Sequence, residues 1–221
     1  MSCAGTLNAR LTAKSVERLI NDLKEPARSI CWGDLGYDLA TISVRLNDEL
    51  EARKLLSIED AKLKYYDPVA PLFGNEFAVK FVDAAFELDE GAKCFALGRS
   101  TACVFHLMRV MEIGIRAISR CLGIPDPTKP AERNWGHILK HIWDDGIVKK
   151  WPIAAVRSHG DGAFFESIHA SLDAVKNPWR NATMHVENKY TDDEAEHIFV
   201  AVRGFMTKLA SRCDENGEPK A

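Results

Sequence analysis

The apolar side chains of residues 104–122 recur at α-helical spacing more regularly than those of any other stretch of this chain. These positions are Val104, Leu107, Met108, Met111, Ile115, Ile118 and Leu122. They follow the i, i+3, i+4, i+7 rule, which places them on one face of a helix. Gly98 interrupts the preceding pattern, Ser100 or Thr101 can cap the new helix, and Gly123 ends it. A helix of this length must bury its apolar face against other elements, and this requirement constrains the whole fold.

Helical periodicity also predicts the other regular elements, and no stretch shows the sustained alternation of a strand. The further predicted helices cover about 13–24, 34–54, 57–66, 76–97, 135–143, 164–175 and 191–212. We therefore predict an all-α protein with an up-and-down four-helix bundle over residues 75–213 and a short inserted helix at about 135–145. Residues 1–74 would form an N-terminal helical extension, and residues 214–221 a flexible tail. The boundary between extension and bundle is predicted at the stretch 68–75, which contains two prolines and a glycine.

Composition limits how the chain can meet nucleic acid. The 221 residues are 46% apolar and 28% charged, which is ordinary for a soluble globular protein. The net charge is −3 and the isoelectric point is about 6.2. These values argue against a broadly basic surface that coats nucleic acid, but they leave room for a local basic site. Any contact with RNA would have to be concentrated, and its affinity would fall with salt.

The cysteines, the N-terminus and the hydropathy predict a cytoplasmic protein without a membrane segment. Six cysteines include no CxxC pair, which suits a reducing compartment. The first ten residues lack the apolar core of a signal peptide, and no run approaches the ~20 apolar residues of a membrane span. His137 and His141 are four residues apart, the spacing of a metal-binding pair, but no third ligand lies near them in sequence. We therefore predict neither a metal site nor a cofactor.

The residues most suited to chemistry stand together in the stretch 177–185, which reads Asn-Pro-Trp-Arg-Asn-Ala-Thr-Met-His. Arg180 offers a planar fork of donors that fits a phosphate, and His185 can move protons near neutral pH. Their five-residue offset is about 140° around an ideal helix, so on a regular helix they would not share a face. Both could therefore simply complement the dipole of a helix end. They can act together if the backbone leaves regular helix, as Asn177-Pro178 permits, or if a second chain completes the site.

The sequence Arg180-Asn181-Ala182-Thr183-Met184-His185 resembles the motif of the HEPN superfamily. In that motif an arginine, usually followed by a polar residue, precedes a histidine by four to six intervening positions. The resemblance covers roughly residues 77–212, and the first 76 residues resemble no family. A weaker resemblance links residues 99–109 to a stretch common in uncharacterised bacterial HEPN-like proteins. For the fold, the resemblance implies an antiparallel HEPN-like helical bundle.

For function, the resemblance implies a metal-independent endoribonuclease, either a toxin or an antiviral defence effector. It would cleave RNA by attack of the 2′-OH on the adjacent phosphate, which leaves a 2′,3′-cyclic phosphate. Arg180 would hold the phosphate, His185 would act as general base or acid, and Asn181 would orient the backbone or the substrate. The reaction needs both a base and an acid, and each chain offers one motif histidine. A homodimer with two motifs facing one groove is therefore expected, and an antitoxin or regulatory protein is a further implied partner.

The alternative is a non-catalytic HEPN-like domain that binds RNA or serves as a protein-interaction scaffold. The negative net charge, the absence of a basic run and the unassigned N-terminal helices favour it. A secondary polar cluster is predicted at His106 and Arg109, which lie off the apolar stripe of their helix. This cluster would be either a second anion site or a structural network at a helix contact. The acidic residues Glu87, Asp89 and Glu90 are predicted to form a solvated face.

Overall fold

The computed structural model describes residues 9–26, 28–51, 53–54, 56–129, 132, 134–175 and 189–219. All regular elements of these residues are helices, which confirms the all-α prediction. The α-helices are α1 (Arg10–Lys24), α2 (Trp32–Glu51), α3 (Asp60–Leu63), α4 (Asn75–Lys80), α5 (Val82–Ala96), α6 (Ser100–Cys121), α7 (Trp135–His141), α8 (Ala154–Arg157), α9 (Gly160–Val175) and α10 (Asp192–Ala210). A 3₁₀-helix covers Ala70–Phe73, and a π-helix covers Ile142–Val148. Among these residues, no helix is long and apolar enough to cross a membrane.

The chain divides into two compact units, Met1–Ser57 and Ile58–Ala221. The division falls earlier than the boundary predicted at residue 74. Residues 58–74 belong to the second unit because several of their side chains enter its core. Tyr65, Val69 and Phe73 are all buried there.

The first unit is a helical hairpin whose two helices are joined by polar contacts. The Glu49 carboxylate on α2 accepts hydrogen bonds from the backbone amides of Leu11 (3.0 Å) and Thr12 (2.9 Å) and from the Thr12 hydroxyl (2.6 Å). First-turn amides have no acceptor within their own helix, so Glu49 caps α1. These hydrogen bonds, that of the Thr12 hydroxyl first, lower the pKa of Glu49. One turn further on, Arg45 donates to the Ser15 hydroxyl, and the two helices therefore run antiparallel.

The second unit is built around α6, which packs against α5 and α10. The predicted apolar stripe of α6 is buried along its whole length. An aromatic cluster closes one side of the core. Its ring contacts are Tyr65 to Phe95 (5.0 Å), Tyr65 to Phe199 (5.2 Å), Phe73 to Phe77 (5.0 Å), Phe73 to Phe199 (5.7 Å) and Phe77 to Phe81 (5.9 Å). Most of these pairs adopt the tilted or edge-to-face geometries that aromatic rings favour.

The single helix predicted over 76–97 is interrupted at Phe81, whose backbone leaves the helical region at φ −128° and ψ 70°. The residues expected to form a flexible tail explain the break. Glu215 donates its backbone amide to the Lys80 carbonyl (2.9 Å). Its carboxylate accepts from the amides of Asp83 (3.1 Å) and Ala84 (3.2 Å) at the start of α5. The structure therefore differs from the prediction of a flexible tail, because residue 215 caps a central helix.

The inserted helix predicted at about 135–145 begins at Trp135 but extends further than expected. The Asn134 side chain caps α7 by accepting from the His137 amide (2.8 Å). The chain then continues through the π-helix to Val148, beyond the predicted end at about residue 145. A Cβ at Gly146 would lie 2.8 Å from Leu122 Cδ1. This close approach explains why a small residue is needed inside the π-helix.

Candidate functional site

The predicted catalytic residues Arg180, Asn181 and His185 lie outside the described residues, in the stretch 176–188. The structure describes the two segments that flank this stretch. Helix α9 ends at Val175, and the chain is described again from Lys189. The surroundings of Lys189 are therefore the part of the predicted site whose geometry can be given.

A cleft of about 700 Å³ lies beside Lys189, at the N-terminal end of α6. This size falls within the range of small-molecule sites in proteins. Among the described residues, two segments form the walls of the cleft. One is the turn between α5 and α6 together with the first turns of α6, and the other is the segment that leads into α10. The lining residues are Gly98, Arg99, Ser100, Thr101, Ala102, Phe105, His106, Lys189, Tyr190 and Asp192.

The wall that carries Lys189 is held in place by hydrogen bonds at the start of α10. The Tyr190 amide donates to the Thr101 hydroxyl (3.1 Å), which ties this segment to α6. Thr191 and Glu194 then form a capping box, with the Glu194 amide donating to the Thr191 hydroxyl (3.3 Å) and the Thr191 amide to the Glu194 carboxylate (2.8 Å). Hydrogen bonds from Thr191, that of its backbone amide first, lower the pKa of Glu194. The capping box at the start of α10 thus positions one rim of the cleft.

Among the described residues that line the cleft there is one carboxylate, that of Asp192, and a neighbouring cation neutralises it. Asp192 lies 2.5 Å from the Lys62 ammonium and also accepts from the Ser100 hydroxyl. These hydrogen bonds, that of Lys62 first, lower the pKa of Asp192, and the same ion pair raises the pKa of Lys62. The negative charge of Asp192 is therefore compensated inside the wall of the cleft. It offsets little of the positive charge at the rim of the cleft.

The other charged groups that the structure describes in the lining of the cleft are cationic. Arg99 and Lys189 are exposed, and within the described part of the chain neither side chain forms an ion pair. Arg99 can present a bidentate fork and Lys189 a point charge, the two modes by which proteins bind phosphate. The cleft therefore carries a local positive charge on a chain whose net charge is −3. It suits an anionic ligand such as a phosphodiester.

His106 lines the same cleft, and it is oriented by a buried carboxylate on the neighbouring helix. Its Nδ1 lies 2.9 Å from Oε2 of Glu87 on α5. The other oxygen of Glu87 lies 2.7 Å from a guanidinium nitrogen of Arg109. Glu87 is only 7% exposed, so the guanidinium of Arg109 and the hydrogen bond with His106 compensate a carboxylate that is largely removed from water. His106 and Arg109, which were predicted to form a cluster, thus share one partner.

This network allows both roles that the sequence left open. It bridges α5 and α6 through a buried carboxylate, as a structural polar network does. When the His106 ring is neutral, a proton on Nδ1 donated to Glu87 leaves Nε2 as an acceptor, which is the orientation of a general base. Arg109 is not among the residues that line the cleft, so of these two residues it is His106 that can contribute to chemistry there.

Glu87, Arg99 and Lys189 were not predicted as site residues, and the prediction that Glu87 lies on a solvated face was wrong, because Glu87 is buried. Asp89 also forms a hydrogen bond within the protein, because its carboxylate accepts from the Val69 amide (2.8 Å). The position of Glu87 in the helix was the available signal. It is three residues after Ala84 and four before Gly91, both of which are buried, so it stands within the buried stripe of α5.

The two histidines at metal-pair spacing occupy a different place. The rings of His137 and His141 are 4.4 Å apart, and His141 Nδ1 lies 2.5 Å from a carboxylate oxygen of Asp145. They line a second cleft of about 610 Å³ together with Ile124, Pro125 and Ile138. Across the residues that the structure covers, no group of three or more histidine, cysteine, aspartate or glutamate side chains could hold a metal ion.

Comparison with known proteins gives no match of any kind. No family model matches the chain, and neither a curated protein nor a solved structure is similar to it.

Proposed function

We propose that this protein is a metal-independent endoribonuclease of HEPN type, with residues 75–213 forming a HEPN-like bundle. The observation that carries the proposal is the cationic cleft formed by Arg99, His106 and Lys189. Lys189 follows His185 by four residues, and four residues of chain span at most about 14 Å. The motif histidine is therefore within reach of a cleft that suits a phosphodiester.

In the proposed reaction, the imidazole of one histidine removes the proton of an RNA 2′-OH. The 2′ oxygen then attacks the adjacent phosphorus, and the bond from phosphorus to the 5′ oxygen breaks. A protonated imidazole donates its proton to the leaving 5′ oxygen, so the products are a 2′,3′-cyclic phosphate and a 5′-OH. Arg180 stabilises the negative charge that develops on the phosphoryl oxygens, and Asn181 orients the chain or the substrate.

The reaction requires two proton-transfer groups. In a homodimer, the second group is His185 of a second copy, which is the arrangement that the resemblance implies. His106 provides a second imidazole within a single chain, and a proton on its Nδ1 that is donated to Glu87 would leave Nε2 as an acceptor. Arg99 and Lys189 then bind the neighbouring phosphates of the strand and supply the electrostatic part of the affinity.

Replacement of His185 by alanine is expected to lower the rate of RNA cleavage at least about a hundredfold, because it removes a general acid–base group. The measurement uses purified protein, a mixed RNA substrate and excess EDTA, with the ends of the products mapped. The wild-type protein should leave cyclic-phosphate ends. His159→Ala is the matched control, because His159 is exposed and does not line the cleft.

Three results of this experiment would overturn the assignment. Equal cleavage by the wild-type protein and the His185→Ala variant would remove His185 from the mechanism. Cleavage that EDTA abolishes would replace the metal-independent mechanism. Absence of cleavage by both proteins, with RNA still bound, would favour the non-catalytic alternative.

The second candidate function is an RNA-binding or protein-interaction module without nuclease activity. One specific observation favours it: the buried Glu87 carboxylate contacts both His106 and Arg109, as the centre of a structural network does. This role would use the same cleft to bind RNA but would not need His185. A binding experiment on the cleft therefore tests RNA contact separately from cleavage.

Arg99→Ala is expected to weaken the binding of single-stranded RNA and to reduce the slope of log affinity against log salt by about 0.7, the value for the loss of one phosphate contact. Arg203→Ala is the matched control. Arg203 is exposed on α10 and lies roughly 16 Å along the helix axis from Asp192, at a rise of about 1.5 Å per residue. Fluorescence anisotropy over a salt series measures both quantities. Equal slopes for the two variants would place RNA elsewhere on the protein.

A further inference from the structure

The exposed side of α6 carries one large apolar residue, and this residue lies in the cleft beside Lys189. Thr101, Phe105 and Arg109 recur every four residues along this side of the helix, and all three are exposed. Phe105 is 44% exposed, whereas every other apolar side chain of α6 larger than that of alanine is buried or half-buried. A solitary apolar residue on an open surface needs no explanation. An aromatic ring that lines a cleft among cations is different, because it is suited to contact a ligand.

The ring of Phe105 is more available for stacking than the other rings of the cleft. Tyr190, on the opposite wall, is partly buried and packs against the core. The ring centroids of Phe105 and His106 are 6.1 Å apart, and the two ring planes meet at 83°. The imidazole is therefore nearly perpendicular to the phenyl ring and does not lie flat on it. Of the lining residues that the structure describes, Phe105 is the one that can best receive a planar group in a stacked arrangement.

The charges around Phe105 indicate which planar group fits. Arg99 and Lys189 line the same cleft and suit phosphate, and the carboxylate of Asp192 is paired with Lys62. A ligand that satisfies both the ring and the cations carries a planar aromatic group and a phosphate on one molecule, as a nucleotide does. In a nucleic acid, the base must be unpaired to stack on a side chain, because paired bases are already stacked within the duplex.

We propose that Phe105 is the platform on which one unpaired base of the RNA strand stacks, while Arg99 and Lys189 bind the phosphates of that strand. His106 follows Phe105 directly, and its Nδ1 lies 2.9 Å from Glu87. A base fixed on Phe105 therefore brings its own sugar and phosphate towards the imidazole. Stacking tolerates every base, so Phe105 selects unpaired strands rather than a sequence. The inference rests on the proposed function for the identity of the ligand as RNA, but its test measures binding and does not require cleavage.

The test compares the wild-type chain and Phe105→Ala on two strands of equal length that the proposed reaction cannot cut. A 2′-O-methyl oligoadenylate has bases but no free 2′-OH, and an abasic strand has only sugars and phosphates. Phe105→Ala should raise the dissociation constant of the oligoadenylate about tenfold and leave that of the abasic strand unchanged. The slope of log affinity against log salt should stay the same, because stacking releases no counterions, whereas Arg99→Ala reduces it. Fluorescence anisotropy measures all these quantities.

Three further variants separate stacking from other effects of the substitution. Phe105→Tyr keeps an aromatic ring and should bind the oligoadenylate as the wild type does. Phe105→Leu keeps an apolar side chain but no ring, so it should lose affinity as alanine does. Phe86→Ala is the matched control, because Phe86 is an exposed phenylalanine that does not line the cleft, and it should bind normally. Far-UV circular dichroism checks that each variant keeps its helix content.

The outcomes distinguish failure of this inference from failure of the proposed function. Equal weakening of both strands by Phe105→Ala, or wild-type affinity of Phe105→Leu, would overturn the stacking role alone. Displacement of the oligoadenylate by AMP at equal concentration would overturn the assignment of the ligand as a strand, because the occupant would then be a free nucleotide. Equal salt slopes for the wild type and Arg99→Ala would remove RNA from the cleft, and this inference would then fall together with the proposed role of the cleft.

Discussion

Replacement of Phe199 by alanine is expected to lower the free energy of unfolding of the second unit by about 3–5 kcal/mol. Phe199 is 1% exposed, and its ring contacts those of Tyr65 (5.2 Å) and Phe73 (5.7 Å). The variant would lose the apolar transfer energy of the ring and leave a cavity between α10 and the segment 65–73. In thermal unfolding followed by circular dichroism, the midpoint should fall by roughly 10 °C for a unit of this size.

Phe86→Ala is the matched control for this prediction. Phe86 is the same type of residue on α5, but it is 65% exposed, so its removal should change the free energy by no more than about 0.5 kcal/mol. A similar loss in the two variants would mean that the aromatic cluster does not stabilise the second unit. It would also mean that the segment 58–74 is not held to the core as described.

Gly114→Leu is expected to lower the free energy of unfolding by about 3 kcal/mol, because there is no space for a side chain where α6 meets α10. A Cβ at position 114 would lie 2.7 Å from Cε1 of Phe205 and 2.9 Å from Sδ of Met206. Both distances are shorter than van der Waals contact, so either the α10 side chains or the helix itself would have to move. Gly114→Ala should have a smaller effect, since alanine regains about 1 kcal/mol of helix propensity.

Gly204→Ala, on α10, is expected to have the opposite effect on the free energy of unfolding. Gly204 lies in α10, and no atom is within 4 Å of the place where its Cβ would stand. Alanine there should raise the free energy of unfolding by about 0.5–1 kcal/mol, because glycine is the poorer helix former. Urea unfolding of the three variants measures all these differences. Stabilisation by Gly114→Ala as large as that by Gly204→Ala would show that the two helices are not in close contact.

The sequence predicted the elements whose determinants are local. The apolar stripe of α6 is buried as its periodicity predicts, and the helix predicted from residue 191 begins there, where Thr191 and Glu194 form a capping box. In each case, residues within one or two turns decide the conformation, so the pattern can be recognised without knowledge of the fold.

The features that the sequence did not predict depend on residues far apart in the chain. Helix α5 begins anew after Phe81 because Glu215 caps it from more than 130 residues away. His106 is held by Glu87, which looked like part of a solvated acidic face. Lys189 and Arg99 face one cleft only because the start of α10 is tied to Thr101. No local sequence pattern predicts contacts between segments that are far apart in the chain.

The hairpin shows a third situation, in which the sequence predicted the helices but not what covers them. The helix over 34–54 was predicted because its apolar residues, Leu39 among them, recur at helical spacing, and such a stripe normally predicts burial. In the structure, α1 covers that stripe only in part, and residues such as Trp32 and Leu39 stay exposed. Periodicity indicates that a face will be buried, but it does not say whether the covering surface belongs to the same chain.

The cap that Glu215 provides also sets an order of events during synthesis. The backbone amide of Asp83 donates a hydrogen bond to the Glu215 carboxylate, and Asp83 precedes Glu215 by 132 residues. At about 5–20 residues per second, a ribosome needs roughly 7–26 seconds to make the intervening chain. During that time the first backbone amides of α5 lack the Glu215 carboxylate as their acceptor. Helices α6 and α10 are both synthesised before Glu215 is. A helix in the middle of the protein thus gains its final N-terminal contact only when almost all of the chain has been translated.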